Sequence, residues 1–416
     1  MTKRGVLDRR AVPTVLFLLS CAACSSEGPA IQKKAAEASV DSAAASARHA
    51  GGQAFDKEVR LLFRFAACAG DEPVPSNLAA TVETHCKALK PYVDTYRKKY
   101  LERAQAFLVA LQPKGLPTAI VYFFGGGDLL SALTTYPNLT EITTVSLEHA
   151  GDPRRIAGIE AQGLEDNLLR LRRGISGLLA QSDSTSENLM QLQRGKIPGQ
   201  LAFFLIGLAI HNQEPVSLRY FRIEADGSLH YLEEAEIATI EGRTAKRLNS
   251  KWESPDFSVA FSNMELTFKP ARAVGGTVRV HRHIAANLMD GPLGSDPRVL
   301  EHLETKGRIT AMTKAASYTL WNEHFSKIRN YLLRNMEFMI SDSTGIPPRY
   351  AKRAGFVQET YGTYKGPYLE ASTKDSDDFQ SLWQSQPQRA LPFRYGYLDA
   401  ARNVHLLVTR RPDKQP

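Results

Sequence analysis

The chain has 416 residues, of which 43% are hydrophobic and 23% charged, as in an ordinary soluble globular protein with room for two or three cores. The formal net charge of +8 is modest, and the basic residues are scattered along the chain. This distribution favours a solvated basic surface and argues against a nucleic acid partner.

The N-terminus has the pattern of an export signal. An apolar run from Val12 to Leu19 follows four basic residues and is too short to span a membrane. The segment resembles a bacterial lipoprotein signal peptide, in which Leu18-Leu19-Ser20-Cys21 would be the lipobox and Cys21 the lipidated residue. Cys24 is a second candidate for the lipid. The basic residues are Lys3, Arg4, Arg9 and Arg10.

This pattern predicts residues 1–24 as a signal peptide and 25–53, rich in Ala, Ser, Gly and Lys, as a disordered tether. The sequence therefore predicts a lipid-anchored protein of the bacterial cell envelope, on the outer membrane or the periplasmic face. Its partner would be the membrane, to which the lipid attaches it. An ordinary secretory signal is the alternative, and it would also export the protein.

Export changes how the two remaining cysteines are interpreted. An oxidising compartment favours a disulfide between Cys68 and Cys86, whereas two buried free thiols are the alternative. With no further cysteine available, this pair is not expected to bind a metal.

Residues 54–215 read as a helical lead-in followed by a βαβ part. Leu89–Leu111 has helical spacing, Ala119–Phe124 is a short apolar strand, and the Leu164–Leu178 repeat marks a helix face. Gln200–Ile210 is apolar all round, which predicts a buried helix.

In residues 216–416 the predicted elements are first strands and then helices. Ala225-Asp226-Gly227 predicts a hairpin that opens a meander, and Phe257–Phe261 reads as one of its strands. Thr310–Leu320 and His324–Ile340 are both predicted as helices. The globular unit 54–416 thus has four predicted parts: helical lead-in 54–115, βαβ part 116–215, meander 216–290, and helices with closing strands 291–416.

The most informative stretch is the glycine turn, Gly125-Gly126-Gly127, which follows a strand and precedes Asp128. Glu148 ends the next strand about 20 residues later, the spacing of an acid that binds a ribose hydroxyl. This order resembles the first motif of Rossmann-like folds that bind nucleotides or S-adenosylmethionine, and it implies a ligand at Gly125, Gly126, Gly127, Asp128 and Glu148.

Two departures argue against a nucleotide there. The glycines are not spaced G-x-G-x-x-G, and Phe123-Phe124 replaces the acid that commonly precedes them in methyltransferases. Exported proteins also have little access to cytoplasmic cofactors. No cofactor is therefore predicted, and the competing interpretations are a small-ligand crevice and a tight turn with Asp128 as helix N-cap.

The segment after the second strand concentrates ionisable groups. Glu148 and His149 could perform acid–base chemistry with Asp128, and Arg154 could bind an anionic group. An exposed polar loop is the alternative for this segment.

Two further patterns are weaker. His281 and His283 alternate along a strand, as metal ligands can, but no third ligand follows, which favours an exposed polar face without a metal. Asp342-Ser343-Thr344-Gly345 approaches the Asp-Thr-Gly of aspartic proteases with one extra residue, and a helix C-terminal turn explains it better.

Four further segments stand out along the chain: Tyr122–Asp128, Ser146-Leu147-Glu148, Lys314–Tyr318 and Ser341–Pro347. Through these segments most of the chain after the signal resembles a family of exported bacterial proteins of unassigned function. This resemblance implies one integrated α/β unit and supplies no catalytic residues.

The predicted fold is α/β: a mixed sheet with a Rossmann-like βαβ start, an antiparallel meander and packing helices. The predicted function is an envelope lipoprotein that binds an envelope protein or a small ligand. The alternative is a hydrolase or transferase whose catalytic candidates are Asp128, Glu148 and His149 around the glycine turn.

Overall fold

The computed structural model describes residues 51–179, 195–244, 258–272, 276–314, 316–342, 344–364, 373–395 and 405–412. The predicted signal peptide and the lipidation candidates Cys21 and Cys24 lie outside these residues. Two residues assigned to the tether from sequence belong to the folded part. The Gly52 N–H donates to Glu233 Oε1 at 2.8 Å, and the Gln53 N–H donates to the Leu232 carbonyl at 2.8 Å.

Within the described residues, ten strands form one mixed sheet. Parallel and antiparallel strands occupy different parts of it, so the predicted fold class is confirmed. The strands are β1 (Ala119–Phe123), β2 (Glu141–Ser146), β3 (Gln213–Ile223), β4 (Leu229–Tyr231), β5 (Met264–Pro270), β6 (Arg279–Ala285), β7 (Ile309–Thr313), β8 (Met336–Ser341), β9 (Val357–Gly362) and β10 (His405–Arg410).

The strand order is β4-β3-β5-β6-β2-β1-β7-β8-β10-β9. The central strands β6-β2-β1-β7-β8 run parallel to one another, in the 3-2-1-4-5 order of a doubly wound sheet. Strands β3, β4, β5 and β6 form an antiparallel segment as predicted, but β5 pairs with β3 and not with β4, so their order is not that of a simple meander. Strand β6 joins this segment to the parallel part. At the other end, β10 lies antiparallel between β8 and β9.

Helices cover both faces of this sheet, which is why the central strands are apolar on both sides. Along β1, Ile120 and Tyr122 face one hydrophobic core, whereas Val121 and Phe123 face the other. None of the helices among the described residues is long and apolar enough to cross a membrane.

Of the helices that the structure describes, six that contribute to the first core precede β3 in the chain. They are α1 (Asp56–Ala66), α2 (Ala79–Tyr96), α3 (Glu102–Ala110), α4 (Leu129–Thr135), α5 (Ala161–Leu179) and α6 (Gly199–Ile210). Helix α7 (Glu234–Thr244) follows the β3–β4 hairpin. The remaining helices are α8 (Asp290–Ser295), α9 (Arg298–Glu304), α10 (Ser326–Asn335), α11 (Pro348–Arg353) and α12 (Thr373–Gln384).

Two helix predictions were wrong, and both concern central strands. The predicted helix Thr310–Leu320 contains most of β7, and the predicted helix His324–Ile340 divides into α10 and β8. Short strands buried on both faces read as continuous apolar runs, which periodicity alone cannot separate from a buried helix. The predicted strand Phe257–Phe261 was also wrong, since Val259–Phe261 forms a 3₁₀ turn.

The predicted disulfide is confirmed. Cys68 and Cys86 are bonded, which links the residues that follow α1 to α2. Both cysteines pack against the first core as partly buried residues, so the alternative of two free thiols is wrong.

Candidate functional site

The glycine turn reverses the chain immediately after β1. Phe124 has a φ of 61° and Gly126 a φ of 45°, so two residues adopt the left-handed region, which is unusual for phenylalanine. The Asp128 N–H donates to the Gly125 carbonyl at 2.8 Å, and Asp128 Oδ1 accepts from the Ser131 N–H at 3.0 Å. The interpretation of Asp128 as the N-cap of α4 is confirmed.

Helix α6 lies directly against this turn. A Cβ added at Gly127 would sit 3.1 Å from the Phe203 Cβ and 3.5 Å from Gln200 Oε1. Any side chain at this position would push against the first turns of α6. The third glycine therefore permits close packing between the turn and the helix.

Asp128 also belongs to a buried ionic group. Its Oδ2 accepts from the Tyr122 hydroxyl at 3.0 Å and lies 3.3 Å from Lys314 Nζ. Lys314 Nζ donates further to Ser131 Oγ at 2.6 Å. None of these four residues is more than 5% exposed.

A second pair of buried polar residues continues the group. Ser317 Oγ donates to Asp342 Oδ1 at 2.6 Å, and both side chains are fully buried. Burial first, and then the negative charges of Asp128 and Asp342, raise the pKa of Tyr122 well above its ordinary value. The two carboxylates are thus near the same phenol. We call Tyr122, Asp128, Ser131, Lys314, Ser317 and Asp342 the edge cluster.

The topology explains why these residues meet. Asp128 follows β1, Lys314 follows β7 and Asp342 follows β8, and the three strands are parallel neighbours. Their carboxyl ends therefore lie at one edge of the sheet. The chain leaves β1 towards β2 on one side, whereas β7 adjoins β1 on the other, so this edge is a topological switch point, where open α/β sheets bind their ligands.

Several polar atoms near the ends of these strands are buried without a hydrogen-bond partner in the described part of the chain. The Gln200 side chain is 4% exposed, and neither its Nε2 nor its Oε1 is bonded. Native proteins rarely leave a buried amide unpaired, because doing so costs about 1–3 kcal/mol. The hydroxyls of Ser146, Thr313 and Thr344, which end or follow β2, β7 and β8, are also unpaired.

The structure does not bring Asp128 to the other two catalytic candidates. His149 hydrogen-bonds Ser262 Oγ through Nδ1 at 3.1 Å, and the Glu148 carbonyl accepts a hydrogen bond from His283 at 2.7 Å. Burial and the nearby His283 lower the pKa of His149 to about 4, so it is neutral at pH 7. The hydrogen bonds of Asp128 go instead to Tyr122, Ser131 and Lys314.

Arg154 is already engaged by carboxylates. Its Nε donates to both oxygens of Asp152, at 2.9 and 3.2 Å. Its Nη2 donates to Asp152 Oδ2 at 2.8 Å and to Glu241 Oε1 at 2.6 Å. The hydrogen bond to Asp152 is the main cause of a raised Arg154 pKa. Its guanidinium also lies over the Phe261 ring at 4.6 Å. These contacts give Arg154 a structural role in the loop, and a ligand anion would have to compete with them.

The expected exposure of His281 and His283 was wrong. Both side chains are fully buried, because α6 covers this face of β6 and the Phe204 ring lies 4.5 Å from that of His281. Thr144 Oγ1 hydrogen-bonds both histidines at 2.9 Å. Among the residues that the structure describes, no group of three or more His, Cys, Asp or Glu side chains could hold a metal ion.

Comparison of the chain with protein-family models, with curated proteins and with solved structures found no match. What supports the site is therefore its own geometry.

The sequence did not predict Lys314, Ser317 and Gln200 as site residues, and it predicted Asp342 at the end of a helix. The available signal was that Lys314 and Asp342 each follow a short apolar run, Ile309–Thr313 and Met336–Ser341.

Proposed function

We propose that this protein is an exported, lipid-anchored envelope protein that binds a small polar ligand at the edge cluster. The observation that carries the ligand is the Gln200 amide, buried against the glycine turn with both of its polar atoms unpaired. A ligand that supplies one donor and one acceptor would remove this cost. The lipid anchor rests on the resemblance of residues 1–24 to a lipoprotein signal peptide.

The polar groups at this edge define the class of ligand. Gln200 offers one acceptor and two donor hydrogens, and Thr313 and Thr344 each offer a hydroxyl. A compact molecule with several hydroxyl or amide groups can satisfy such a set. Because Asp128 and Lys314 already neutralise each other at 3.3 Å, their pair does not favour a strongly charged ligand.

The alternative of a hydrolase or transferase stays a prediction without a supporting contact. It needs Asp128 to act together with Glu148 and His149, but Asp128 is bonded to Lys314 and His149 to Ser262. These contacts therefore favour the binding function.

Gln200→Leu tests the ligand site. In ligand-free protein this change should raise the free energy of unfolding by roughly 1–3 kcal/mol, because it removes a buried, unpaired amide. Native mass spectrometry of full-length protein purified from the envelope should find a small molecule on the parent and not on Gln200→Leu. A stabilised variant that has lost its ligand would separate the binding role of Gln200 from a structural one.

Gln358→Leu is the matched control. This glutamine is also buried, but its Nε2 donates to the Ile346 carbonyl at 2.9 Å and to Thr409 Oγ1 at 3.1 Å. Its replacement should lower the free energy of unfolding by roughly 1–3 kcal/mol and leave the bound molecule in place. The proposal fails if no small molecule accompanies the parent, or if Gln200→Leu retains it.

The anchor is tested by labelling with radioactive palmitate in a bacterial host. Label is expected on the parent and on Cys24→Ser, with none on Cys21→Ser, because Leu18-Leu19-Ser20-Cys21 fits the lipobox best. If the label disappears only in Cys24→Ser, Cys24 and not Cys21 carries the lipid. An unlabelled parent that fractionates with the cytoplasm would contradict both export and lipidation.

A further inference from the structure

A cavity of about 900 Å³ lies beside the disulfide, away from the edge cluster. Its wall combines residues near the end of α1, the segment after Cys68, the turn between α6 and β3, and the end of β5. Since β5 is antiparallel to β6, the end of β5 lies at the amino edge of the parallel strands. The volume falls within the upper part of the range for small-molecule sites. We call it the disulfide cavity.

The backbone around the disulfide cavity is unusual. Cys68, Asn212 and Arg272 have φ values of 58°, 54° and 63°, and all three line the cavity. Among the non-glycine residues that the structure describes, only Phe124 in the glycine turn shares this conformation. Cys68 and Asn212 directly follow the C-caps of α1 and α6, where this conformation commonly ends a helix, so Arg272 after β5 is the position that a helix end does not explain. The disulfide to Cys86 also restrains Cys68.

Charges of both signs line the same wall. Arg60 pairs with Glu72 at 3.3 Å and Lys269 with Glu214 at 3.4 Å, each across a partly exposed contact. The remaining two charged residues, Asp71 and Arg272, are exposed and have no partner among the described residues. One free acid and one free base therefore face the same space. Such a wall complements a ligand that carries both an ammonium and a carboxylate group.

A bulge in β3 adds backbone groups to the wall. Pairing with β5 passes from Pro215 opposite Phe268 to Ser217 opposite Thr267, so Val216 has no opposite residue. Val216 lines the cavity, and bulged residues often lie next to binding sites. Backbone amides outside regular pairing can bond the amides of a bound peptide.

We propose that the disulfide cavity binds a short peptide. Arg272 pairs with its C-terminal carboxylate and Asp71 with its N-terminal ammonium, while the backbone near Val216 bonds its amides. The Phe63 ring supplies apolar contact to the peptide at the same wall. This site is separate from the edge cluster, and its occupancy does not depend on the ligand proposed there.

The test uses tri-alanine with free termini, its N-acetylated form and its C-amidated form as probes in calorimetric titrations of the full chain. The free peptide should bind saturably. Acetylation or amidation should each weaken binding roughly tenfold, since each removes one charged partner. On Asp71→Asn, acetylation should have no further effect, and on Arg272→Gln, amidation should have no further effect.

Lys352→Gln is the control, because this lysine is exposed on α11 and does not line the cavity. It should bind all three probes as the parent does. Absence of saturable binding by free tri-alanine would overturn the proposal. So would equal affinities of the parent, Asp71→Asn and Arg272→Gln for the three probes. Circular dichroism of each variant checks that a loss of binding does not reflect unfolding.

Discussion

Lys314→Met is expected to lower the free energy of unfolding by about 3–5 kcal/mol, the usual cost of removing one partner from a buried ion pair. Methionine keeps the length of the side chain but leaves the Asp128 carboxylate, which is 1% exposed, without its ammonium. It also leaves Ser131 Oγ without its 2.6 Å donor. Urea denaturation at neutral pH, followed by circular dichroism, measures the change.

Two further variants identify the cause. Asp128→Asn combined with Lys314→Met should recover part of the loss, because no uncompensated charge then remains in the core. Lys90→Met removes an exposed ion pair, in which Lys90 Nζ lies 2.6 Å from Asp94 Oδ2, and it should cost at most about 0.5 kcal/mol. Equal losses for Lys314→Met and Lys90→Met would contradict the buried ion pair.

Acidification to about pH 5.5 should destabilise the fold by roughly 6 kcal/mol relative to neutral pH, at about 1 kcal/mol for each of six histidines. Burial is the largest cause that lowers the pKa of five of them to about 4 and that of His281 well below its ordinary value. Because the ordinary value is 6.5, the unfolded chain binds protons first as the pH falls. The histidines are His85, His149, His211, His281, His283 and His302.

The stabilisation from neutral histidines is thus complete above pH 6.5 and declines between pH 6.5 and about 4. The Glu141 carboxylate affects stability in a lower pH range. Its burial favours the neutral acid, but the charges of Lys306 and Arg282 outweigh burial and hold the pKa at about 2. That carboxylate therefore stabilises the fold fully above its ordinary value of 4.5, and its contribution is lost only as the pH falls towards 2.

Urea titrations at about pH 7.5, 6.5 and 5.5 measure the histidine effect. His149→Gln should reduce the loss between neutral pH and pH 5.5 by roughly one sixth, because one of the six groups no longer titrates. His324→Gln, at an exposed position on the surface, should leave the loss unchanged. A stability that stays constant between pH 6.5 and 5.5 would mean that these histidines are not held neutral by the fold.

Local patterns predicted the parts of this protein whose residues interact with near neighbours. The glycine turn and its Asp128 cap depend on a few adjacent residues, and Ala225-Asp226-Gly227 marks the β3–β4 hairpin for the same reason. The disulfide was predicted from two cysteines and the expectation that the protein is exported.

The edge cluster could not be predicted in this way, because it depends on contacts between distant residues. Lys314 and Asp128 are 186 residues apart and meet only because β7 pairs with β1. The apolar runs that form β7 and β8 were interpreted as helices, which hid the fact that Lys314 and Asp342 each follow a parallel strand. The burial of His281 and His283 likewise depends on α6 covering β6.

The position of β10 sets a condition on the order of assembly. Among the residues that the structure describes, β9 pairs with β10 alone, and β10 separates it from β8, so the edge of β8 that faces β10 is uncovered before His405–Arg410 is present. Open strand edges readily pair with other chains. During synthesis β8 therefore keeps an unpaired edge until His405–Arg410 has emerged, and a chain that ends before His405 would expose that edge to pairing with other chains.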